Sequence, residues 1–128
     1  MIVGLGTDLM EIARIEESIA RYGERFLARV YTPGEIAFCQ RKKNSAESFA
    51  ARFAAKEAAA KALGTGISRG VSWQEIEVTR RPGERPELVF HGRAAEWARE
   101  MGVKRAALSL THSRNLAMAV VIMESAGC

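Results

Sequence analysis

A short segment between Phe53 and Lys61 contains the side chains best suited to chemistry, set among alanines. On a helix, Phe53, Glu57 and Lys61 are four residues apart and share one face, so the carboxylate lies between a ring and an ammonium. A carboxylate and an ammonium on one helix face could carry chemistry. An ordinary solvated helix face with a Glu57–Lys61 ion pair explains the same spacing and stays an alternative.

Arg52 and Lys56 occupy the neighbouring stripe of the same predicted helix. Like charges four residues apart destabilise a helix by a few tenths of a kcal/mol. An anion bound beside both side chains would remove that repulsion, so the pair favours a binding site for a phosphate or carboxylate.

Asp8 is a second candidate, because it follows the segment Gly4-Leu5-Gly6-Thr7. Glycines without a Cβ allow a ligand or another backbone to approach closely. The run from Asp8 to Glu11 also fits a capping box, in which Asp8 would only accept a hydrogen bond at the start of a helix. Both interpretations stay open from the local sequence.

The elements that must position these residues alternate in type along the chain. Helices are predicted from Asp8 to Gly23, from Pro33 after an N-cap at Thr32, from an N-cap at Ser45 to Leu63, and from about Arg93 to Met101. Strands are predicted at Ile2–Thr7, Glu75–Thr79, Leu88–His91, Ala106–Thr111 and Leu116–Glu124. This order predicts an α+β fold with an antiparallel sheet packed against a long central helix.

Length and composition limit the class of protein. The 128 residues, of which 48% are hydrophobic, are expected to form one domain over residues 1–128. The longest apolar run, Leu116–Met123, is far shorter than the roughly 20 residues of a membrane-spanning helix. No signal-like segment begins the chain, so a cytoplasmic protein with no membrane partner is expected. Cys39 and Cys128 lack metal-ligand spacing and are expected to be ordinary thiols.

The charge balance favours anionic partners. Nineteen Lys and Arg against fifteen Asp and Glu give a net charge of +4 and a pI near 9.4. Five Phe, two Trp and two Tyr form no alternating aromatic and basic strand, so nucleic acid is not expected as the partner. A small nucleic-acid-binding domain and a noncatalytic docking module nevertheless remain the two rival classes.

Two separated motifs resemble a known family. Gly4–Asp8 together with Arg52–Ala62 is similar to the signature pair of the holo-acyl-carrier-protein synthases, the short single-domain 4'-phosphopantetheinyl transferases. The order and spacing of Thr32–Glu35, Ala62–Gly66 and Ser109–Ser113 also resemble that family. The resemblance therefore covers nearly the whole chain and implies the 4'-phosphopantetheinyl transferase fold.

The resemblance implies transfer of phosphopantetheine from coenzyme A to a serine of an acyl carrier protein, with Mg²⁺ as cofactor. By the same resemblance, Asp8 and Glu57 hold the metal and Lys61 neutralises charge on the leaving phosphate. Two carboxylates suit Mg²⁺, which also takes substrate phosphates and water. The base that accepts the serine proton has three candidates: Glu57, a magnesium-bound hydroxide, and Glu35 acting through water.

Coenzyme A carries several phosphates, so its binding site should be basic and contain glycine. The candidate residues are Arg52, Lys56, Lys61, Lys43, Gly64, Thr65 and Gly66, with His112 placed at a phosphate by the resemblance. Gly64 is equally well explained as the C-cap of the central helix.

The first long helix is the candidate docking surface for the partner protein. Arg14 and Arg21 lie opposite its isoleucine stripe, and Arg25 follows just beyond Gly23. The resemblance places the acidic carrier protein on this helix, although interspersed glutamates also fit a plain surface helix. The family further implies a homotrimer with active sites between subunits, and a role in fatty-acid synthesis.

Overall fold

The computed structural model describes residues 1–126, so the prediction for Cys128 lies outside the described residues. Five helices and five strands follow in the order β1 Ile2–Glu11, α1 Ile12–Tyr22, α2 Glu24–Val30, α3 Pro33–Gln40, α4 Ser45–Leu63, β2 Ile76–Thr79, β3 Glu87–Phe90, α5 Gly92–Glu100, β4 Val103–His112 and β5 Leu116–Ser125. A 3₁₀ turn, Trp73–Glu75, precedes β2.

Two antiparallel sheets form from these strands. β5 lies between β1 and β4, and β2 pairs with β3 as a separate hairpin. In the larger sheet Ala119 of β5 is opposite Asp8 on one side and Leu110 on the other. The α+β prediction, with an antiparallel sheet against a long central helix, is confirmed.

The central helix α4 packs directly on β1 because two glycines remove the side chains that would separate them. A Cβ on Gly4 would overlap the carbonyl oxygen of Ala62, and one on Gly6 would overlap that of Ala58. Ala54, Ala58 and other alanines of α4 are fully buried in a core shared with β5. The glycine motif therefore serves a close contact of backbone with backbone.

The predicted helix start at Asp8 is wrong. β1 continues to Glu11, since β5 provides hydrogen-bonding partners along its whole length, and Asp8 lies inside the strand. Helix α1 begins at Ile12 with no side-chain cap. Capping therefore does not explain why an aspartate occupies position 8.

Other helix boundaries differ in smaller ways. Helix α2 was not predicted, because Gly23 indicates only the end of α1. In the structure Gly23, at φ 55°, both ends α1 and precedes α2. The side chain of Asn44, rather than Ser45, caps α4. The predicted capping box of Thr32 and Glu35 is confirmed at the start of α3. No helix within residues 1–126 has the length and apolar character needed to cross a membrane.

Candidate active site

Lys61 joins α4 to β1 at the proposed metal site. Its Nζ atom donates to Oδ1 of Asp8 and to the backbone oxygen of Thr7, each at 3.0 Å. The expected Glu57–Lys61 ion pair is replaced by this contact between elements. The close approach allowed by Gly6 brings the strand carboxylate within reach of the helix ammonium.

Glu57, one turn before Lys61, is held from another direction. The indole Nε1 of Trp73 donates to its Oε1 at 3.2 Å. The Trp73 ring also lies against Phe53, with centroids 6.1 Å apart. Trp73 was not predicted as a site residue. It begins a 3₁₀ turn ten residues beyond α4, and no local sequence pattern indicates which face of the helix that turn contacts.

The donor set of Asp8 and Glu57 fits a hard divalent cation. Both offer carboxylate oxygens, and their positions on β1 and α4 are linked through Lys61. Residues 1–126 contain no cluster of three or more His, Cys, Asp or Glu that would form a complete protein cage. Mg²⁺ commonly needs only one or two carboxylates, since substrate phosphates and water complete its coordination.

A basic cavity of about 380 Å³ lies beside the amino-terminal half of α4. It brings together Lys43, Arg52 and His112 from three separate segments and adds Arg80, which was not predicted. His112 Nε2 lies 3.3 Å from Oε1 of Glu47 at its rim. The cavity therefore collects cationic donors suited to a phosphate.

Arg52 is the buried donor of this cavity. Only 4% of the residue is exposed, its guanidinium lies 4.1 Å from the Phe38 ring centroid, and its Nη1 atom donates to Ser48. Burial lowers the pKa of Arg52 from its ordinary value. Its buried Nε has no hydrogen-bond partner among the described residues. A buried unsatisfied donor is costly, so an anion in the cavity would stabilise this side chain.

Lys56 does not belong to the phosphate site, which corrects the prediction. Its Nζ atom is fully buried and donates to Oε1 of Glu35 at 2.7 Å and to the backbone oxygens of Ile76 and Trp73 at 2.7 and 3.0 Å. All three ammonium hydrogens are used. Burial lowers the pKa of Lys56, while the adjacent Glu35 carboxylate opposes that shift.

The burial of Glu35 also removes it as the candidate base. Only 2% of the residue is exposed, and its oxygens accept from Lys56, from the backbone of Thr32 and from the backbone of Val78. A carboxylate with these partners has no access to a serine hydroxyl. Glu35 instead links α3, α4 and β2.

The turn after α4 closes on its own helix. The backbone N–H groups of Gly64, Thr65 and Gly66 all donate to carbonyl oxygens in the last turn of α4. Gly64 has φ 81°, as expected for a glycine C-cap. The C-cap therefore accounts for these N–H groups, and contact of the Gly64–Gly66 turn with coenzyme A stays a prediction.

The predicted docking arginines border two neighbouring grooves. Arg14 and Arg21 line one groove together with Phe53, which lies one turn before Glu57. Arg25 lines the adjoining groove with Arg29 of α2. The first of these grooves therefore includes a residue of the α4 face that carries Glu57.

Known proteins share both the sequence and this architecture. Residues 4–121 match the family model of the 4'-phosphopantetheinyl transferase superfamily. A holo-[acyl-carrier-protein] synthase of Koribacter versatilis is 56% identical over 97% of this chain and 99% of its own.

Solved structures show the same likeness. The holo-[acyl-carrier-protein] synthase of Neisseria meningitidis has a TM-score of 0.88 and 36% identity, covering 98% of this chain and 100% of its own. That of Helicobacter pylori, in complex with coenzyme A, has a TM-score of 0.83 and 32% identity, covering 94% and 99%. The chain belongs to the 4'-phosphopantetheinyl transferase superfamily and, within it, to the holo-[acyl-carrier-protein] synthases, as the two sequence motifs implied.

Proposed function

We propose that the chain, acting as one domain over residues 1–128, transfers 4'-phosphopantetheine from coenzyme A to a serine of an apo acyl carrier protein. The serine oxygen attacks the β-phosphorus of coenzyme A, and the bond from that phosphorus to the leaving adenosine 3',5'-bisphosphate breaks. The observation that carries this proposal is the Asp8–Lys61 contact, which links the strand carboxylate to the helix face holding Glu57. Family membership is the independent support.

Asp8 and Glu57 are the residues proposed to hold Mg²⁺. The bound cation would supply charge neutralisation at the pyrophosphate oxygens. Lys61, with a half-exposed ammonium, is placed to contact the phosphate that leaves. With Glu35 buried, Glu57 is the proposed side chain for accepting the serine proton.

Coenzyme A is proposed to bind with a phosphate in the basic cavity. Arg52 would donate its unpaired Nε hydrogen, and Lys43, Arg80 and His112 would add charge or hydrogen bonds. Lys61 would contact the pyrophosphate at the other end. Lys56 is omitted because its hydrogens are already used.

The grooves beside Arg14, Arg21 and Arg25 are the proposed carrier-protein surface. Their charge complements the acidic surface expected around the carrier's serine. The groove lined by Phe53 would direct the serine toward Glu57. We place the enzyme in the cytoplasm, in the supply of carrier proteins for fatty-acid synthesis.

A homotrimer is proposed from the outer face of the larger sheet. Leu5 and Leu9 of β1 are 65% and 60% exposed, and Met118, Val120 and Ile122 of β5 are partly exposed beside them. An apolar face of this kind commonly marks a protein interface. A second copy of the chain would bury it.

Mass spectrometry of an apo carrier protein incubated with the chain and coenzyme A tests the proposal. A gain of roughly 340 Da that requires Mg²⁺ is expected for covalent phosphopantetheine transfer. No mass gain, combined with salt-sensitive binding to DNA or RNA, would favour the nucleic-acid class instead. Carrier binding with no mass gain would favour a docking module.

A further inference from the structure

We propose that Trp73 is a positioning residue for Glu57, an inference that rests on the proposed function. Its indole N–H donates to Oε1 of Glu57, 16 residues earlier in sequence, at 3.2 Å. The side chain of Trp73 is partly buried between α4 and α2. Trp73 contacts no reacting atom and acts only through the orientation of the carboxylate.

Both the indole ring and the backbone of Trp73 have partners that hold them in place. Phe53 packs near one part of the ring, and the Arg29 guanidinium lies 5.7 Å from its centroid. The backbone oxygen of Trp73 accepts from the buried ammonium of Lys56 at 3.0 Å. The next residue, Gln74, donates from its side chain to the backbone oxygen of Tyr31 at 3.1 Å. The donor is thus preorganised, because the 3₁₀ turn is tied to both neighbouring helices.

This arrangement assigns the two oxygens of Glu57 different tasks. Oε1 is occupied by the indole, whereas Oε2 has no hydrogen-bond partner among the described residues. A glutamate on a helix surface otherwise rotates freely about its last torsion. The indole N–H holds the plane of the carboxylate, which leaves Oε2 for the cation or the serine proton. Lys56 gains a role as well, since it anchors the turn that carries the indole.

Three variants separate hydrogen bonding from packing. Trp73→Phe keeps an aromatic ring but deletes the donor. Trp73→His packs less but retains an N–H at the corresponding position of a five-membered ring. Trp97→Phe is the matched control, because Trp97 is also partly buried and its Nε1 has no hydrogen-bond partner among the described residues.

Two measurements provide the readout. The first is steady-state transfer, giving kcat and the KM for coenzyme A. The second is Mn²⁺ binding to protein with coenzyme A and no carrier protein, followed through the electron paramagnetic resonance signal of free Mn²⁺. Loss of a hydrogen bond to a metal ligand typically costs about tenfold or more in metal affinity or activity. For Trp73→Phe we therefore expect about a tenfold loss of kcat and of Mn²⁺ affinity, with an unchanged KM for coenzyme A.

The order of the variants decides between positioning and packing. Trp73→His should retain more kcat and Mn²⁺ affinity than Trp73→Phe, and Trp97→Phe should match the wild type in both. The inference would be overturned if Trp73→Phe and Trp97→Phe had the same kcat and Mn²⁺ affinity. It would also be overturned if Trp73→Phe retained more of both than Trp73→His. Circular dichroism melting identifies any variant that fails to fold. In that case Arg29→Gln replaces it as the test variant, because it loosens the indole ring without deleting the N–H donor. The expected loss of kcat is then smaller. Absence of transfer by the wild type would instead refute the proposed function itself.

Discussion

The Nζ atom of Lys61 lies 3.0 Å from Oδ1 of Asp8, across 53 residues of sequence. Because Lys61 follows Glu57 by one helical turn, the contact directs the strand carboxylate and the helix carboxylate to the same side of α4. Gly6 makes this geometry possible by letting β1 approach the helix backbone.

Neutralising either carboxylate should strongly reduce transfer while sparing the fold. Asp8→Asn and Glu57→Gln keep the side-chain shape but weaken cation binding, and we expect a loss of about 3 kcal/mol of transition-state stabilisation, or roughly a hundredfold in kcat/KM. Turnover is measured by mass spectrometry, with and without a chelator. Glu100→Gln, an exposed acid on α5, is the control. Wild-type turnover in both variants would contradict the metal assignment.

Arg52 should act on coenzyme A affinity. Arg52→Met keeps the aliphatic stem but removes the whole guanidinium, both the group that lies over Phe38 and the unpaired Nε donor. Hydrogen bonds to charged groups contribute about 1.5–3 kcal/mol, so the KM for coenzyme A should rise about tenfold or more. The KM for the carrier protein should not change. Arg99→Met, at an exposed position on α5, is the control for loss of charge. An equal rise of the coenzyme A KM and the carrier KM in Arg52→Met would contradict the cavity assignment.

Arg14 should act on the protein partner instead. Arg14→Glu places a negative charge in the groove lined by Phe53. Repulsion from an acidic carrier should raise the carrier KM by roughly tenfold and leave the coenzyme A KM near the wild-type value. Steady-state kinetics at two salt concentrations measure this, since salt screens the repulsion. If Arg99→Glu raised the carrier KM equally, the rise would reflect the overall charge of the protein rather than docking at Arg14.

The buried pair of Lys56 and Glu35 should govern stability. Lys56→Met leaves the Glu35 carboxylate buried without its cation, and breaking such a pair costs about 3–5 kcal/mol. Urea unfolding measures the loss. The double variant Lys56→Met with Glu35→Gln removes the buried charge as well and should recover part of the stability. A stable Lys56→Met protein with a raised coenzyme A KM would instead support the original phosphate assignment.

Gly6→Ala should weaken both the fold and the site. The added methyl group overlaps the backbone oxygen of Ala58, which cannot move without shifting α4. Overpacking of this kind costs about 1–3 kcal/mol, and any displacement of β1 also moves Asp8. Gly34→Ala is the matched control, because its nearest neighbours would lie at ordinary contact distances of 3.7 and 3.9 Å. Equal urea midpoints for the two variants would show that the helix tolerates the methyl group.

Residue types and their spacing along the chain were enough to predict the local features and the family. The Thr32–Glu35 capping box, the long alanine-rich helix and its Gly64 C-cap depend on residues a few positions apart, so spacing alone predicts them. The two motifs at Asp8 and Glu57 sufficed to indicate the family, because they combine residue types with a characteristic separation.

Which charged residues of α4 face solvent depends on contacts with distant segments of the chain. Lys56 and Lys61 both follow the helical spacing, yet Lys56 is buried against Glu35 and Lys61 reaches Asp8. Likewise Asp8 fits a helix cap locally but lies in a strand paired with β5, and Trp73 meets Glu57 only through packing. Periodicity reports which residues share a face of one element, whereas the partner of that face comes from distant segments and is selected by the packing of the whole core.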